Sequence, residues 1–243
     1  MPSQSKLVVF GDSNIAAVRH AYDEGLMTFE GYDVEFWGAA GPEYRNIVYN
    51  NGALKAMKPD AQKTVLMVNG KGRKLLKPDD FDVFVFYGVR LRLAEFFSAY
   101  LDLLLDPDRA ISEAALDHAA AQFLQERRAV RMAQMLKADG AREIVFVYAG
   151  FPCWGIVDQT EAGGVLDSFP RVVEAKPEHR ARLWGALERA FEALGLGLIA
   201  QPEETVVQGM FTDETYAVAD AAKNQDAVHK APAYAAKLLE KRF

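Results

Sequence analysis

The sequence predicts a single α/β domain in which a parallel β-sheet is covered by helices on both faces. Apolar segments with strand-like patterning occur at about residues 6–10, 32–37, 81–87, 143–148 and 194–200, and segments with helical patterning separate them. This alternation predicts a parallel sheet, because parallel neighbours need a long crossover that usually contains a helix. No repeat, low-complexity tract or linker interrupts the chain, so we expect one domain over residues 1–243.

The composition excludes several classes of function. The formal net charge of −6 disfavours nucleic acid or an anionic membrane surface as the main partner. Cys153 is the only cysteine, so no internal disulfide is possible. No stretch approaches the roughly 20 apolar residues of a membrane-spanning helix, and the first residues lack the apolar core of a signal peptide. We therefore expect a cytoplasmic protein, and without a dinucleotide fingerprint, a Walker sequence or a metal-ligand cluster we expect no cofactor and no metal.

The first motif follows the first predicted strand. Gly11, Asp12, Ser13 and Asn14 form a tight turn that leads into a helix over about residues 15–24. Asp, Ser and Asn are typical N-cap residues, so one interpretation is that Ser13 only caps this helix. The other follows from its place at the carboxyl end of a strand, where open α/β sheets bind ligands. On that interpretation, Ser13 is a candidate nucleophile.

The second motif lies near the end of the chain, in a loop that leads into the last predicted helix. Asp226 and His229 are three residues apart, so the Asp226 carboxylate can accept a hydrogen bond from His229 Nδ1 and leave Nε2 to face a serine. Alone, the pair could be an ordinary surface aspartate and histidine. Together with Ser13, it supplies the members of a catalytic triad in the order Ser, Asp, His.

These two motifs resemble the first and last signature blocks of the SGNH (GDSL-type) hydrolase superfamily. The resemblance spans the chain and implies a three-layer, flavodoxin-like α/β/α fold with strand order 2-1-3-4-5. It also implies an esterase, lipase, thioesterase or carbohydrate deacetylase activity. In that strand order the loops after strands one, two and three share a crevice, and the final loop can fold over the same edge.

The two middle blocks of the superfamily are less clear in this chain. The resemblance places the second-block glycine at Gly41, whose backbone N–H would help to form an oxyanion hole; a plain strand-to-helix turn is the alternative. In the third block, Arg90 stands where the superfamily has asparagine. Arg90 could support the oxyanion or bind an anionic substrate, since its guanidinium donates several hydrogen bonds. Alternatively, it could pair with a surface carboxylate.

The remaining elements follow from local patterns. A helix is predicted over about residues 43–57. Residues 64–76 are predicted to form a small β-hairpin insertion with a type I′ turn at Asn69 and Gly70, with a loop over the rim of the site as the alternative. Further helices are predicted at residues 93–105, 112–139, 178–193 and 232–242, and residues 162–177 are a candidate lid. Phe151 and Trp154 could wall a substrate pocket or form a hydrophobic plug.

The sequence as a whole predicts a serine esterase that acts on O-acyl groups of a carbohydrate or on another small ester. Two alternatives stay open. The first is a catalytically weak SGNH-like domain that binds a glycan or an anionic ligand through Arg90 and Arg92. The second is an unrelated doubly wound binding domain in which the turn at Ser13 is only a helix cap. The distance between Ser13 Oγ and His229 Nε2 separates the alternatives, because a nucleophile and its base must be within hydrogen-bond reach.

Overall fold

The structure is a computed structural model that describes residues 4–109, 111–158, 165–240 and 242–243. The strands are β1 (Ser5–Gly11), β2 (Tyr32–Gly38), β3 (Ile47–Asn50), β4 (Ala53–Ala56), β5 (Leu75–Leu76), β6 (Val83–Tyr87), β7 (Glu143–Val147), β8 (Gly197–Ile199), β9 (Val206–Val207) and β10 (Phe211–Thr212). The helices are α1 (Ile15–Asp23), α2 (Pro59–Asn69), α3 (Leu93–Leu105), α4 (Glu113–Glu126), α5 (Arg128–Ala138), α6 (Val165–Ser168), α7 (Pro177–Ala193), α8 (Ala221–Asn224) and α9 (Pro232–Leu239).

The central sheet has five parallel strands in the order β2-β1-β6-β7-β8. Counted among themselves, these strands have the predicted order 2-1-3-4-5. In the middle of the sheet, Phe10 of β1 aligns with Trp37 of β2 and with Phe86 of β6. Residues 7–10 are all fully buried, as expected for a strand that is covered on both faces. The predicted three-layer parallel α/β fold is therefore confirmed.

The two faces of the sheet are covered by different sets of helices. Helices α3, α5 and α7 contribute to the larger buried cluster, which includes Phe10 and Phe86. On the opposite face, α1 and α9 pack against the sheet and against each other in a second cluster, which contains Val18 and Leu238. This packing brings the first and last helices together, and with them the turn that precedes each helix.

The predicted hairpin at residues 64–76 and the predicted helix at residues 43–57 are both wrong in position. The small hairpin is formed by β3 and β4, which β5 extends to a three-stranded antiparallel sheet. Its turn is at Asn51 and Gly52, which both have positive φ. Asn69 and Gly70 instead end α2, with Gly70 as a left-handed C-cap. The dipeptide Asn-Gly suits both a type I′ turn and a helix end, so it could not distinguish the two.

Two further predictions change in detail. The long helix predicted at residues 112–139 is divided into α4 and α5 by the extended backbone of Arg127. Phe151 is 1% exposed and packs against Phe97, Tyr148 and Trp184, so it is part of a hydrophobic plug. Of the candidate lid, residues 162–164 lie outside the described residues, and the remainder contains α6 and a 3₁₀ turn at Val172–Glu174.

Truncation of Leu238 tests the packing between α1 and α9. Leu238 is 2% exposed, so Leu238→Ala opens a cavity in this cluster. We expect the free energy of unfolding, measured by urea denaturation, to fall by about 2–5 kcal/mol. The matched control is Leu26→Ala, because Leu26 is 53% exposed and its truncation should change that free energy by no more than about 0.5 kcal/mol. Equal effects of the two variants would contradict this account of the packing.

Candidate active site

Ser13 lies in the turn that joins β1 to α1. The backbone begins the helix at this turn, where Ile15 N–H donates to Asp12 O at 3.1 Å and Ala16 N–H donates to Ser13 O at 3.3 Å. The N-cap position of α1 is taken by Asn14, whose side chain makes no capping hydrogen bond. The Ser13 hydroxyl instead lies 2.8 Å from the His229 ring. The hydroxyl therefore has a partner other than the helix that follows it.

Ser13, His229 and Asp226 form a continuous hydrogen-bonded relay. Ser13 Oγ lies 2.8 Å from His229 Nε2, and His229 Nδ1 lies 2.8 Å from Asp226 Oδ2. When Nδ1 carries the proton and donates a hydrogen bond to the carboxylate, Nε2 is free to accept a hydrogen bond from the Ser13 hydroxyl. Ser13 and His229 are 216 positions apart in the chain, and the packing of α1 against α9 places them together.

The turn between Asp226 and His229 is closed by the aspartate itself. Asp226 Oδ1 accepts hydrogen bonds from Val228 N–H at 3.1 Å and from His229 N–H at 3.0 Å. Burial raises the pKa of the Asp226 carboxyl, but the hydrogen bonds from the His229 backbone and imidazole and from Val228 N–H outweigh it and hold that pKa below its usual value. The carboxylate is therefore ionised at neutral pH, where it can orient the imidazole and stabilise its protonated form.

Asp12 connects the Ser13 turn to the loop after β6. Its carboxylate is 4% exposed and accepts from Asn14 N–H at 3.0 Å, Asn14 Nδ2 at 2.8 Å and Arg90 N–H at 3.0 Å. The sequence suggested only a capping role for Asp12. Its hydrogen bond to Arg90 could not be predicted, because the two residues are 78 positions apart in the chain. Asp12 thus fixes two of the loops that border the candidate site.

Arg90 and Gly41 contact each other. Arg90 Nη2 donates to Gly41 O at 2.5 Å, and the guanidinium carbon lies 5.9 Å from the centre of the Tyr44 ring. Within the described residues Arg90 has no ion pair, so its alternative role as the partner of a surface carboxylate is not observed there. The Arg90 side chain therefore connects the loop after β6 to the loop after β2.

The loop after β6 has an uncommon backbone conformation. Gly88, Val89, Arg90 and Arg92 have φ values of 72°, 46°, 53° and 54°. A β-branched residue such as Val89 rarely adopts positive φ, because the conformation costs about 1–3 kcal/mol and persists only where the surrounding structure imposes it. Here the hydrogen bond from Arg90 N–H to Asp12 fixes the loop. Gly88 permits the close approach, since a Cβ atom at this position would lie 2.9 Å from Asp12 Oδ1.

A cleft of about 410 Å³ borders this loop. Polar and charged side chains line it at Asp12, Asn14, Arg90, Arg92 and Glu95, and the remainder of the lining comes from Gly88, Leu91, Ala94, Tyr148, Ala149, Gly150, Pro152 and Val228. Asn14 also lines a smaller depression of about 240 Å³ that contains Ser13, Asp226 and His229. The relay therefore lies beside a cleft of the size that binds small molecules.

The described parts of the chain contain neither a candidate metal site nor a candidate membrane-spanning helix. No group of three or more His, Cys, Asp or Glu side chains there has an arrangement that could hold a metal ion. Across the same ranges, the helices include none that is both long and apolar enough to cross a membrane.

Comparison with known proteins gives similarity at the level of structure alone. No family model matches the chain, and no curated protein matches it by sequence. LAE5, an α/β hydrolase enzyme from the metagenome of Lake Arreo, Spain, is 13% identical, with 98% of this chain and 93% of that chain covered and a TM-score of 0.35. An extracellular lipase from Streptomyces rimosus is 11% identical, with coverages of 98% and 100% and a TM-score of 0.44. A catalytic mutant of the acetylxylan esterase Axe2 from Geobacillus stearothermophilus is 12% identical, with coverages of 99% and 93% and a TM-score of 0.34. At these scores the likeness carries no argument about the site, whose chemistry follows from its side-chain geometry.

Substitution of Asp12 tests the connection between the two loops. Asp12→Asn replaces one acceptor oxygen by an N–H donor that faces other donors, so we expect the free energy of unfolding to fall by about 1–3 kcal/mol. The exposed Asp79 gives the matched control, Asp79→Asn, which should stay within about 0.5 kcal/mol of the wild type. Urea denaturation measures both. If the buried and exposed substitutions have the same effect, Asp12 does not hold the loops together.

Proposed function

We propose that this protein is a serine esterase of the SGNH type. The observation that carries the proposal is the relay, in which Ser13 Oγ and Asp226 Oδ2 each lie 2.8 Å from opposite nitrogens of the His229 ring. A serine becomes a nucleophile when a base accepts its proton, and the base needs a third group to orient it. Ser13, His229 and Asp226 have the geometry for these three roles.

The proposed reaction is hydrolysis through an acyl-enzyme. Ser13 Oγ attacks the ester carbonyl carbon while His229 Nε2 accepts the hydroxyl proton, and Asp226 stabilises the resulting imidazolium. The tetrahedral intermediate collapses, the C–O bond to the alcohol breaks, and His229 returns the proton to the leaving alcohol. A water molecule then attacks the acyl carbon with His229 again as the base. The second collapse releases the carboxylic acid and restores the Ser13 hydroxyl.

Backbone N–H groups are the proposed donors to the oxyanion. Within the described residues, the N–H groups of Ser13 and Gly41 donate to no protein acceptor, which leaves both available to a substrate oxygen. Arg90 stands where the SGNH superfamily has asparagine, and its side chain donates a hydrogen bond to Gly41 O. We assign it the role of holding the Gly41 loop and of bringing a positive charge to the cleft.

The proposed substrate is a small ester, such as an O-acylated carbohydrate. The cleft of about 410 Å³ can take a short acyl group or a sugar ring, and it combines apolar residues such as Leu91 and Val228 with polar ones such as Asn14 and Glu95. A catalytically weak domain that binds a glycan or an anionic ligand is the second candidate. The observation that favours it is the replacement of an oxyanion asparagine by Arg90, because losing one such donor typically costs about 3 kcal/mol of transition-state stabilisation.

A fluorophosphonate probe separates the two candidates. The probe reacts with an activated serine, so we expect the wild-type protein to gain one phosphonyl group on Ser13, located by mass spectrometry. Ser13→Ala should prevent labelling and lower kcat/KM for p-nitrophenyl acetate by at least about 10³-fold. Ser112, whose side chain caps α4, gives the control variant Ser112→Ala, which should label as the wild type does. No labelling under conditions that label a reference esterase would contradict the proposed activity and favour the binding domain.

The role of Arg90 can be measured on the same ester. Arg90→Met removes the donor to Gly41 O and so loosens the Gly41 loop. We expect kcat to fall by about 10–100-fold, which is less than the roughly 10²–10³-fold typical for loss of an oxyanion donor itself. Arg90→Asn restores an amide donor and should be less impaired. The control is Arg142→Met, because the exposed Arg142 pairs with Asp82 and lines neither the cleft nor the depression around Ser13. Wild-type kinetics in both Arg90 variants would show that Arg90 has no part in the reaction.

A further inference from the structure

Lys230 follows His229 directly and is almost completely buried. Its relative exposure is 4%, which is unusual for a lysine. Its ammonium group donates to Val228 O at 2.7 Å and to Ala227 O at 3.3 Å. Ala227 and Val228 are the two residues between Asp226 and His229, and none of the proposed catalytic steps uses Lys230. The structure therefore puts an unassigned positive charge directly behind the turn that presents the aspartate and the histidine.

The groups around Lys230 come from several elements. Asp226 and His229 lie on its own loop, Cys153 faces it from the segment after β7, and His20 of α1 lines the same small depression. From α9, Tyr234 lies close by, since a Cβ atom on Gly150 would be 2.6 Å from Tyr234 Oη and 3.3 Å from Lys230 Cε. Within the described residues, Asp226 is the only carboxylate among these neighbours, so the ammonium is satisfied mainly by the two carbonyl oxygens.

The buried charge does not add to the stability of the fold. Burial lowers the pKa of Lys230 to about 8, and Cys153 and Asp226 offset that effect only in part. The ordinary value is 10.5, so between pH 8 and 10.5 the unfolded chain binds more protons than the folded chain. The free energy of unfolding therefore rises with pH across this window, and burial of the ammonium destabilises the fold most below pH 8. Lys230 thus destabilises the fold, yet its ammonium binds both carbonyls of the Asp226–His229 turn. This combination indicates a role in the site rather than in stability.

The carbonyl groups of the turn have few other partners. Ala227 O also accepts from Cys153 N–H at 2.7 Å, whereas Val228 O has Lys230 as its only hydrogen-bond donor within the described residues. On the opposite side of the turn, Asp226 Oδ1 accepts the N–H groups of Val228 and His229. The turn is thus held from its N–H side by Asp226 and from its carbonyl side by Lys230.

We propose that Lys230 is a positioning residue whose ammonium group, by holding the carbonyls of Ala227 and Val228, keeps His229 aligned between Asp226 and Ser13 and makes the activity of the site depend on its own protonation. The effect on rate rests on the proposed esterase function, whereas the effect on the geometry of His229 does not. Deprotonation of Lys230 weakens both hydrogen bonds, so the activity falls on the alkaline side.

The first test compares kinetics of Lys230→Met and Lys237→Met on p-nitrophenyl acetate. Small misplacements of a catalytic group can cost about 10²-fold in rate, so we expect kcat of Lys230→Met to fall by about 10–100-fold with little change in KM. Lys237 is the matched control, because it lies on α9, is partly exposed and pairs with Glu204 and Glu240. An unchanged kcat in Lys230→Met would overturn the proposal.

The second test is the pH profile of kcat, which also covers the case that Lys230→Met does not fold. The wild type should lose activity above about pH 8, where Lys230 loses its proton. Lys230→Gln retains an uncharged amide N–H donor group and should keep partial activity without this alkaline decline. A wild-type rate that stays constant from pH 7.5 to about 10, or a Lys230→Gln profile that declines as the wild type does, would contradict a role for the ammonium group.

A third readout separates failure of this inference from failure of the esterase proposal. The proton on His229 Nδ1, which is hydrogen-bonded to Asp226, can be observed as a low-field ¹H resonance without any substrate. We expect Lys230→Gln to shift or broaden that resonance and Lys237→Met to leave it unchanged. An unaltered resonance in Lys230→Gln would overturn the positioning role even in an active enzyme. An altered resonance in a protein that a fluorophosphonate does not label would support the positioning role and reject the esterase proposal.

Discussion

The packing of α1 against α9 is the contact on which the geometry of the site depends. Ser13 precedes α1 and His229 precedes α9, and both helices lie on the same face of the sheet in one buried cluster that includes Val18 and Leu238. Because each side chain is placed by the start of a helix, the 2.8 Å contact between Ser13 Oγ and His229 Nε2 follows from apolar packing more than from the contact itself. The hydrophobic core thus brings together two side chains that are more than 200 positions apart in the chain.

Charged groups that are buried or partly buried refine the geometry that this packing establishes. Asp12 joins the Ser13 turn to the backbone of Arg90, and Arg90 in turn donates to Gly41 O, so the loops after β1, β2 and β6 are connected. Lys230 holds the last loop from behind through its carbonyl groups. Buried charges of this kind cost free energy unless they are well paired. In our proposal, their contribution is to the alignment of the reacting groups.

The strand order and the meeting of Ser13 with His229 could be predicted because two local motifs resemble those of the SGNH superfamily, and the fold that this resemblance implies determines both. A strand, a turn of small polar residues and a helix are adjacent in the chain. The topology of a doubly wound sheet then places the loops at the carboxyl ends of its strands around one crevice. The partners of Arg90 and the burial of Lys230 could not be predicted, because they depend on residues distant in sequence. The misplaced hairpin has another cause, since the dipeptide at Asn69 is equally compatible with a helix end. The catalytic roles themselves stay predictions.

The central claim is that Ser13, His229 and Asp226 act as one relay, and the most direct measurement is a crystal structure of the protein after reaction with a diethyl phosphoryl ester. Our account predicts continuous density from Ser13 Oγ to phosphorus, with the phosphoryl oxygen within hydrogen-bond distance of the Ser13 and Gly41 N–H groups. It also predicts that His229 Nδ1 stays hydrogen-bonded to the Asp226 carboxylate. An unmodified Ser13, or a His229 ring turned away from both partners, would contradict the account.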